Sequence, residues 1–519
     1  MATQIPHRTA RRAPAPRPAA QSRPAAPRSD ASASASSGLA RAITRATRWM
    51  EARPLLDYTM IRTIVFVLAG LGVVMVTSAS MTWSMLGDSS VWAQPLKQAI
   101  VVGLGVVAFI VALQIPPRIV QRFSFALVAL AIALLVLVLI PGIGTGAAQV
   151  GSQSWISVGG FQLQPSELAR VAICVWGASI LANKDPRYLL EPTNGFVPFV
   201  AVAGVCMTLI TVQGDLGMAL SFAVVVAFIL IFAGVSWNLI GIFAGVAVVG
   251  LVFVMAAGGY RSHRFMVYFD ALFGKFEDTR GVAFQSHQGF LSLADGGLFG
   301  VGLGQSRAKW FYLPEAKNDF IFAVIGEELG LWGGLLVISL FFLLMFFGLR
   351  TARRAQNQFQ ALLAASLTTS VVSQAFINIG YVVGLLPVTG IQLPMISAGG
   401  TSAVITLGAM GLVASVARHE PDAVSSMQNY GRPLFDRLLL LREPTPAVER
   451  PQANEPDRSA DTRRAPQSMP GRYGVPVTAR RTSPQREQAR RTHASQPTRS
   501  PAPRKVSRRE TPHSTRRAS

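Results

Sequence analysis

What most constrains this chain is a series of apolar runs, each roughly 17 to 25 residues long, separated by short polar turns. At ~1.5 Å of helical rise per residue, that length matches the hydrocarbon thickness of a bilayer. In lipid the backbone must satisfy its own hydrogen bonds, so such runs fold as α-helices. About ten are visible, near residues 60–82, 97–115, 120–141, 166–183, 196–213, 216–234, 237–258, 320–349, 359–384 and 400–418. The expected fold is an all-α integral membrane protein of about ten transmembrane helices, with a large extracytoplasmic loop, 259–319, between helices seven and eight.

Charge divides the chain into three parts. Only 14% of its 519 residues are charged, yet the net charge is +22. A soluble domain carries about 25% charged residues. The basic excess sits in residues 1–55 and 421–519, which are rich in Arg, Pro, Ser and Ala, while residues 56–420 are apolar. Tails of that composition bury too little surface to offset the entropy of folding, so both are expected to be disordered. The first apolar run starts near Met60, too late and too long for a cleaved signal peptide. Prolines in the Arg-rich start oppose the amphipathic helix of a mitochondrial transit peptide. Cys174 and Cys206 fall inside apolar runs, outside any metal-ligand spacing, and are expected to be free, buried thiols.

Orientation follows from Lys and Arg in the short loops. Arg118 and Arg122 follow run two, Lys184 and Arg187 follow run four, and Arg350, Arg353 and Arg354 follow run eight. All lie after even-numbered runs. That side is expected to be the cytoplasm and to carry both termini. The 259–319 loop is then external, although it carries Arg261, Arg264, Lys275, Arg280, Arg307, Lys309 and Lys317. Long loops are weakly bound by the charge rule, so its basicity has a bland explanation. It also fits an outer surface that receives an anionic ligand.

Four polar clusters lie at membrane boundaries, all on the expected outer side. Gln164-Pro165-Ser166-Glu167 opens run four, where Glu167 and Arg170 are three residues apart and can pair on one helix face. Gln213-Gly214-Asp215-Leu216-Gly217 forms a short turn in which Asp215 could simply cap the next helix. The third cluster ends in Leu313-Pro314-Glu315-Ala316-Lys317-Asn318-Asp319 and leads into Glu327-Glu328. Charge at membrane depth costs about 2.5–3.5 kcal/mol per group, so acids placed there are expected to serve a purpose. Asp319 reads either as a helix N-cap or as a working carboxylate. The fourth, Pro387 to Ser402, is broken by Pro and Gly, which membrane depth tolerates only beside protein or a polar cavity. One composite outer site is the expectation. Gly300-Val301-Gly302-Leu303-Gly304 follows no strand–helix unit, so it is read as close backbone approach rather than a dinucleotide fingerprint. His263 and His287 are isolated, with no metal-ligand spacing.

Taken in order, these pieces resemble the SEDS family, the polytopic glycosyltransferases of bacterial cell-wall synthesis. Trp155-Ile156, Gln164-Pro165-Ser166-Glu167, Asp215-Leu216-Gly217, Gly296 to Gly304, Leu313-Pro314-Glu315, Asp319-Phe320-Ile321-Phe322, Glu327-Glu328-Leu329-Gly330 and Pro394 to Ser402 carry the likeness, across about residues 57–420. Arg170 stands where the family usually has Lys, Gly214 where it has Pro, Asn318 where it has Thr or Ser, and Ala398 where it has an aromatic. Ala316 and Ile325-Gly326-Glu327-Glu328 are closer to the division-type branch than to the elongation type.

The resemblance implies polymerisation of lipid II, the undecaprenyl-diphosphate-linked disaccharide pentapeptide, on the outer leaflet. It implies Asp319 as catalytic carboxylate, with Glu167, Arg170, Asp215, Arg307, Lys309, Glu315, Lys317 and Ser397 as substrate-binding candidates. It also implies a divalent cation, Mg or Mn, at the diphosphate, and a class B penicillin-binding protein among divisome partners. No organic cofactor and no nucleic-acid partner are expected. Two rival readings remain: a lipid II flippase that makes no bonds, and a non-catalytic divisome scaffold.

Overall fold

The structure is a computed structural model. It describes residues 40–41, 44–45, 47–86, 92–147, 151–158, 161–184, 194–256, 268, 282–307, 313 and 315–444. Lys309, Arg187 and residues 259–267 of the long loop lie outside the described residues, as do the ends of both tails.

Helices occupy all ten apolar runs. Among the described residues the main helices, in chain order, are α1 (Leu56–Leu86), α2 (Ala93–Gln114), α3 (Pro117–Leu137), α4 (Pro165–Leu181), α5 (Phe196–Val212), α6 (Leu216–Phe232), α7 (Trp237–Ala256), α8 (Val282–Gly296), α9 (Ile321–Arg354), α10 (Gln358–Val382), α11 (Gly400–Arg418), α12 (Pro421–Tyr430) and α13 (Leu434–Leu438). Six of them, α1, α2, α3, α9, α10 and α11, are long and apolar enough to cross a membrane. At 17 residues, α4, α5 and α6 sit at the lower limit of a span. The protein is a multi-pass membrane protein.

Local chemistry sets the helix starts. Pro117, Pro165 and Pro421 occupy first-turn positions, where the missing N–H costs nothing. Asn357 caps α10 by accepting the Gln360 N–H at 2.9 Å. The central helix is α10: its most apolar window is 83% buried, against 22% for α3 at the rim. α10 therefore presents polar side chains to protein rather than lipid.

Two features were not legible as apolar runs. Between α3 and α4, β1 (Gly144–Thr145), β2 (Trp155–Val158) and β3 (Phe161–Leu163) form an antiparallel sheet in sequence order, with Ile156 opposite Leu163. Thr401 donates to the Gln162 carbonyl at 2.8 Å and ties this sheet to the start of α11. Within the expected outer loop, α8 lies on α9. Gly289 faces the Phe320 ring, and a side chain at Gly296 would collide with the Gly326 carbonyl.

α9 is broken at Gly330, whose φ of 67° and ψ of −165° are open only to glycine. The break leaves carbonyls without helical partners, and the Gly-rich run supplies them. Val301 N–H donates to the Glu327 carbonyl at 2.9 Å and Gly302 N–H to that of Glu328 at 3.1 Å. The glycines permit close backbone approach to another segment, as expected of this run.

The described fold also passes the expected boundary at residue 420. α12 and α13 fold back on the end of the bundle where α1 begins and α11 ends. Asp436 is fully buried. It accepts Tyr58 Oη at 2.6 Å and Arg418 Nε at 2.7 Å, and Leu441 is buried beside them. Composition concealed this because one carboxylate and a few apolar residues do the anchoring within a polar stretch. Ending the chain after residue 422 should therefore cost more than ending it after 444. Tyr58 and Arg418 lose their acceptor, a penalty of about 1–3 kcal/mol, limited because Arg418 can turn towards water. Thermal unfolding in one detergent compares the two; equal midpoints would make the clasp energetically idle.

Candidate active site

The four polar clusters converge on one cavity of about 590 Å³ at the opposite end of the bundle. Gln164 and Glu167 come from the start of α4, and Asp215 and Gly217 from the turn before α6. Glu315, Lys317, Asn318 and Asp319 precede α9, and residues 388–392 and 398–402 lead into α11. α2 adds Gln94, Lys97 and Gln98, none of which the sequence argument had placed there.

Asp319 is held through its backbone. Asn378 Nδ2 donates to the Asp319 carbonyl at 2.8 Å and to the Ile391 carbonyl at 2.7 Å. Tyr381 Oη lies 2.9 and 2.7 Å from the same two oxygens. The neighbouring residues are also clamped. Ser397 Oγ donates to the Asn318 carbonyl at 2.6 Å and accepts the Leu393 N–H at 2.8 Å, and Ala398 N–H donates to the Lys317 carbonyl at 3.0 Å. Asp319 is not the cap of α9. Phe320 holds that position, without a side-chain cap bond. Asn318 does not orient the Asp319 side chain with its amide either; Asn318 Nδ2 donates to Glu315 Oε2 at 2.6 Å.

Below Asp319 lies a buried polar knot. Glu167 and Arg170 pair across one turn of α4 at 2.9 Å, both about 2% exposed. Arg170 also donates to Ser221 on α6 at 3.1 Å and to Gln374 on α10, while Gln374 Nε2 donates to Glu167 at 3.2 Å. Glu167 reaches the cavity wall from this knot. Asp215 caps α6 by accepting the Met218 N–H at 3.0 Å, and accepts Gln164 Nε2 at 3.1 Å from its cavity position. Burial raises the Asp215 carboxyl above the ordinary aspartate range; the Met218 bond opposes this, and the Glu167 charge adds to it. Gly217 follows because a side chain there would collide with the Thr389 carbonyl.

The candidate residues thus divide by position. Asp319, Glu167, Asp215, Glu315 and Lys317 share the cavity. Arg170 and Ser397 stand behind its wall and hold it. Arg307 is exposed away from the lining; its N–H donates to Glu327 Oε1 at 2.6 Å because the Gly-rich run is stitched onto the α9 break. Glu327 and Glu328 do structural work. Glu327 accepts Ser306 Oγ at 2.7 Å, and Glu328 accepts Ser78 Oγ at 2.6 Å from α1.

Sequence reasoning missed Gln374, Asn378 and Tyr381. Their spacing of four and then three residues puts all of them on one face of α10. Polar residues at that spacing inside an apolar run were the available signal. Among the described residues, no three His, Cys, Asp or Glu side chains form a group able to hold a metal ion.

The family model described as "Cell cycle protein", FtsW/RodA/SpoVE, matches residues 58–422. The chain belongs to this family. It is 40% identical over 444 residues to the probable peptidoglycan glycosyltransferase FtsW of Mycobacterium tuberculosis, covering 84% of this chain and 83% of that protein. It is 37% identical over 359 residues to the stage V sporulation protein E of Bacillus subtilis, covering 69% of this chain and 95% of that protein. Among solved structures, a chain from the work "Structural coordination of polymerization and crosslinking by a peptidoglycan synthase complex" superposes with a TM-score of 0.56 at 22% identity, covering 70% of this chain and 97% of that one. The rod shape determining protein RodA of Thermus thermophilus superposes at 0.50 and 23% identity, covering 70% and 96%. These two likenesses establish the family fold. The matched region, 58–422, includes every wall of the cavity.

Proposed function

We propose that this chain is a peptidoglycan glycosyltransferase that polymerises lipid II on the outer face of the bacterial cytoplasmic membrane during septal wall synthesis. The observation that carries this reading is Asp319, opening onto the cavity from a backbone held on both sides. A carboxylate carried on that backbone can take the proton from an acceptor sugar hydroxyl as its oxygen attacks the anomeric carbon of the donor. The lipid diphosphate is the leaving group. Lys97 and Lys317 line the same cavity and can offset its charge. The names of the relatives agree with this chemistry, and membership of a synthase complex in the structural neighbour supports a class B penicillin-binding protein as partner.

The flippase reading requires a polar route between leaflets. The described cavity lining lies at one end of the helices, and ion pairs hold the other end. There Arg350 pairs with Asp57, and Arg354 with Glu420 at 3.1 Å. The scaffold reading leaves the clamp on Asp319 without a purpose. Purified protein given labelled lipid II, with and without the partner transpeptidase, should yield glycan strands. Intact lipid II under every condition, from folded complex, would count against the enzyme.

We also place both termini in the cytoplasm, from the short-loop charges. Cys174 and Cys206 are buried, so introduced cysteines report alone. In intact cells, an impermeant maleimide should label Ser157→Cys in β2 and spare Ser425→Cys in α12. The reverse pattern would invert the topology.

A further inference from the structure

Among the described residues, the segment after α11 presents an apolar face that nothing covers. Leu434, Leu438 and Leu440 are 77%, 81% and 84% exposed. Single exposed leucines are ordinary on protein surfaces. These three sit together on a segment whose depth relative to the bundle is fixed by its inward face.

That depth can be read from α1. Asp436 bonds Tyr58, near the start of the helix, and Arg418, at the end of α11. Phe435 reaches further along. Its ring lies 4.3 Å from the Arg62 guanidinium and 6.0 Å, centroid to centroid, from Phe66. Phe66 is ten residues into α1, about 15 Å along its axis. α13 therefore runs beside the opening turns of an apolar spanning helix rather than beyond its end. Just before α1, Trp49 is half exposed with Arg53 stacked on it at 4.0 Å, an aromatic–cation pair of the kind found at membrane interfaces. Arg437 and Arg442 are exposed on the same segment; Arg432 is already paired with Glu443 at 3.5 Å.

We propose that α13 and the residues just after it form an interfacial anchor, with Leu434, Leu438 and Leu440 entering the headgroup–acyl boundary of the adjoining leaflet and Arg437 and Arg442 meeting anionic lipid headgroups. The separation of roles along α13 supports lipid as the occupant. Leu434 and Leu438 are one turn apart on the outer side, while Asp436 between them is spent inward. Five residues make too short a helix to hold itself in water, so the buried carboxylate fixes the segment and leaves the leucines to the bilayer. The anchor thereby joins the leaflet to α1 and α11, two helices whose other ends wall the cavity through Val76 and Ser402.

The full chain in lipid nanodiscs tests this with an environment-sensitive fluorophore on Leu434→Cys or Leu438→Cys. Both probes should emit as in an apolar medium, and a lipid spin-labelled high on its acyl chain should quench them more than aqueous iodide. Replacing neutral phosphatidylcholine by phosphatidylglycerol should increase that contrast at least twofold, and Arg437→Gln with Arg442→Gln should remove the increase. Water-like emission with dominant iodide quenching in both lipids would overturn the anchor. So would shielding that appears only when another protein is added. If a cysteine variant fails to fold, amide exchange of residues 434–441 in the unaltered chain serves instead. Exchange there should slow in phosphatidylglycerol nanodiscs, and equal exchange in both lipids rejects the proposal.

Discussion

Asp319→Asn should leave the protein folded and its glycan synthesis reduced by about 10²–10⁴-fold, the usual span for loss of a general base. The clamp from α10 acts on the Asp319 carbonyl, a group asparagine retains. Phe320, not Asp319, holds the cap position of α9, so helix initiation does not require the carboxylate. Asparagine is also nearly isosteric. What changes is the capacity to accept a proton. The comparison to run is initial rate of strand formation from labelled lipid II beside thermal unfolding of the same preparation. Unchanged unfolding with a collapsed rate is the expected pair of results. Near-normal synthesis by Asp319→Asn would remove the mechanism and restore the flippase and scaffold readings.

The ten helices could be read from sequence because membrane burial imposes length and apolarity together, and neither depends on which helices pack against each other. The shared cavity could also be anticipated. Topology places alternate boundaries on one side, so polar clusters before α4, α6, α9 and α11 had to meet the same face. Its support could not. Gln374, Asn378 and Tyr381 stand out as polar residues on one face of an apolar run, but they work by reaching residues up to 207 positions away, and the spacing does not name those partners. Arg307 was a candidate by charge alone; it is not among the described residues lining the cavity, and backbone bonds to the broken turn of α9 determine where its run lies. The segment after residue 420 was hidden for a related reason. Composition reports how much apolar surface a stretch carries, not that Asp436 has two buried partners waiting for it.

Arg170→Ala should cost about 3–5 kcal/mol, because it leaves Glu167 as an uncompensated buried charge. The single guanidinium serves Glu167, Ser221 and Gln374, so three helices lose a common fastening. The knot is enclosed: Glu167, Ser221 and Gln374 are all at most 2% exposed, although Glu167 also borders the cavity. The protein should accumulate poorly and unfold well below wild type, with activity lost through the fold. Arg170→Lys distinguishes charge from geometry. A lysine keeps the positive charge, and the family resemblance places one here, but its single nitrogen cannot reproduce the fork across three partners. It should cost about 1 kcal/mol, the worth of a hydrogen bond, and retain most synthesis. If Arg170→Ala accumulates and works like wild type, the knot is not what holds Glu167 in the cavity wall. If Arg170→Lys is as damaging as Arg170→Ala, geometry rather than charge governs the site. Measured unfolding of the two variants in one detergent, with strand synthesis alongside, decides between these outcomes.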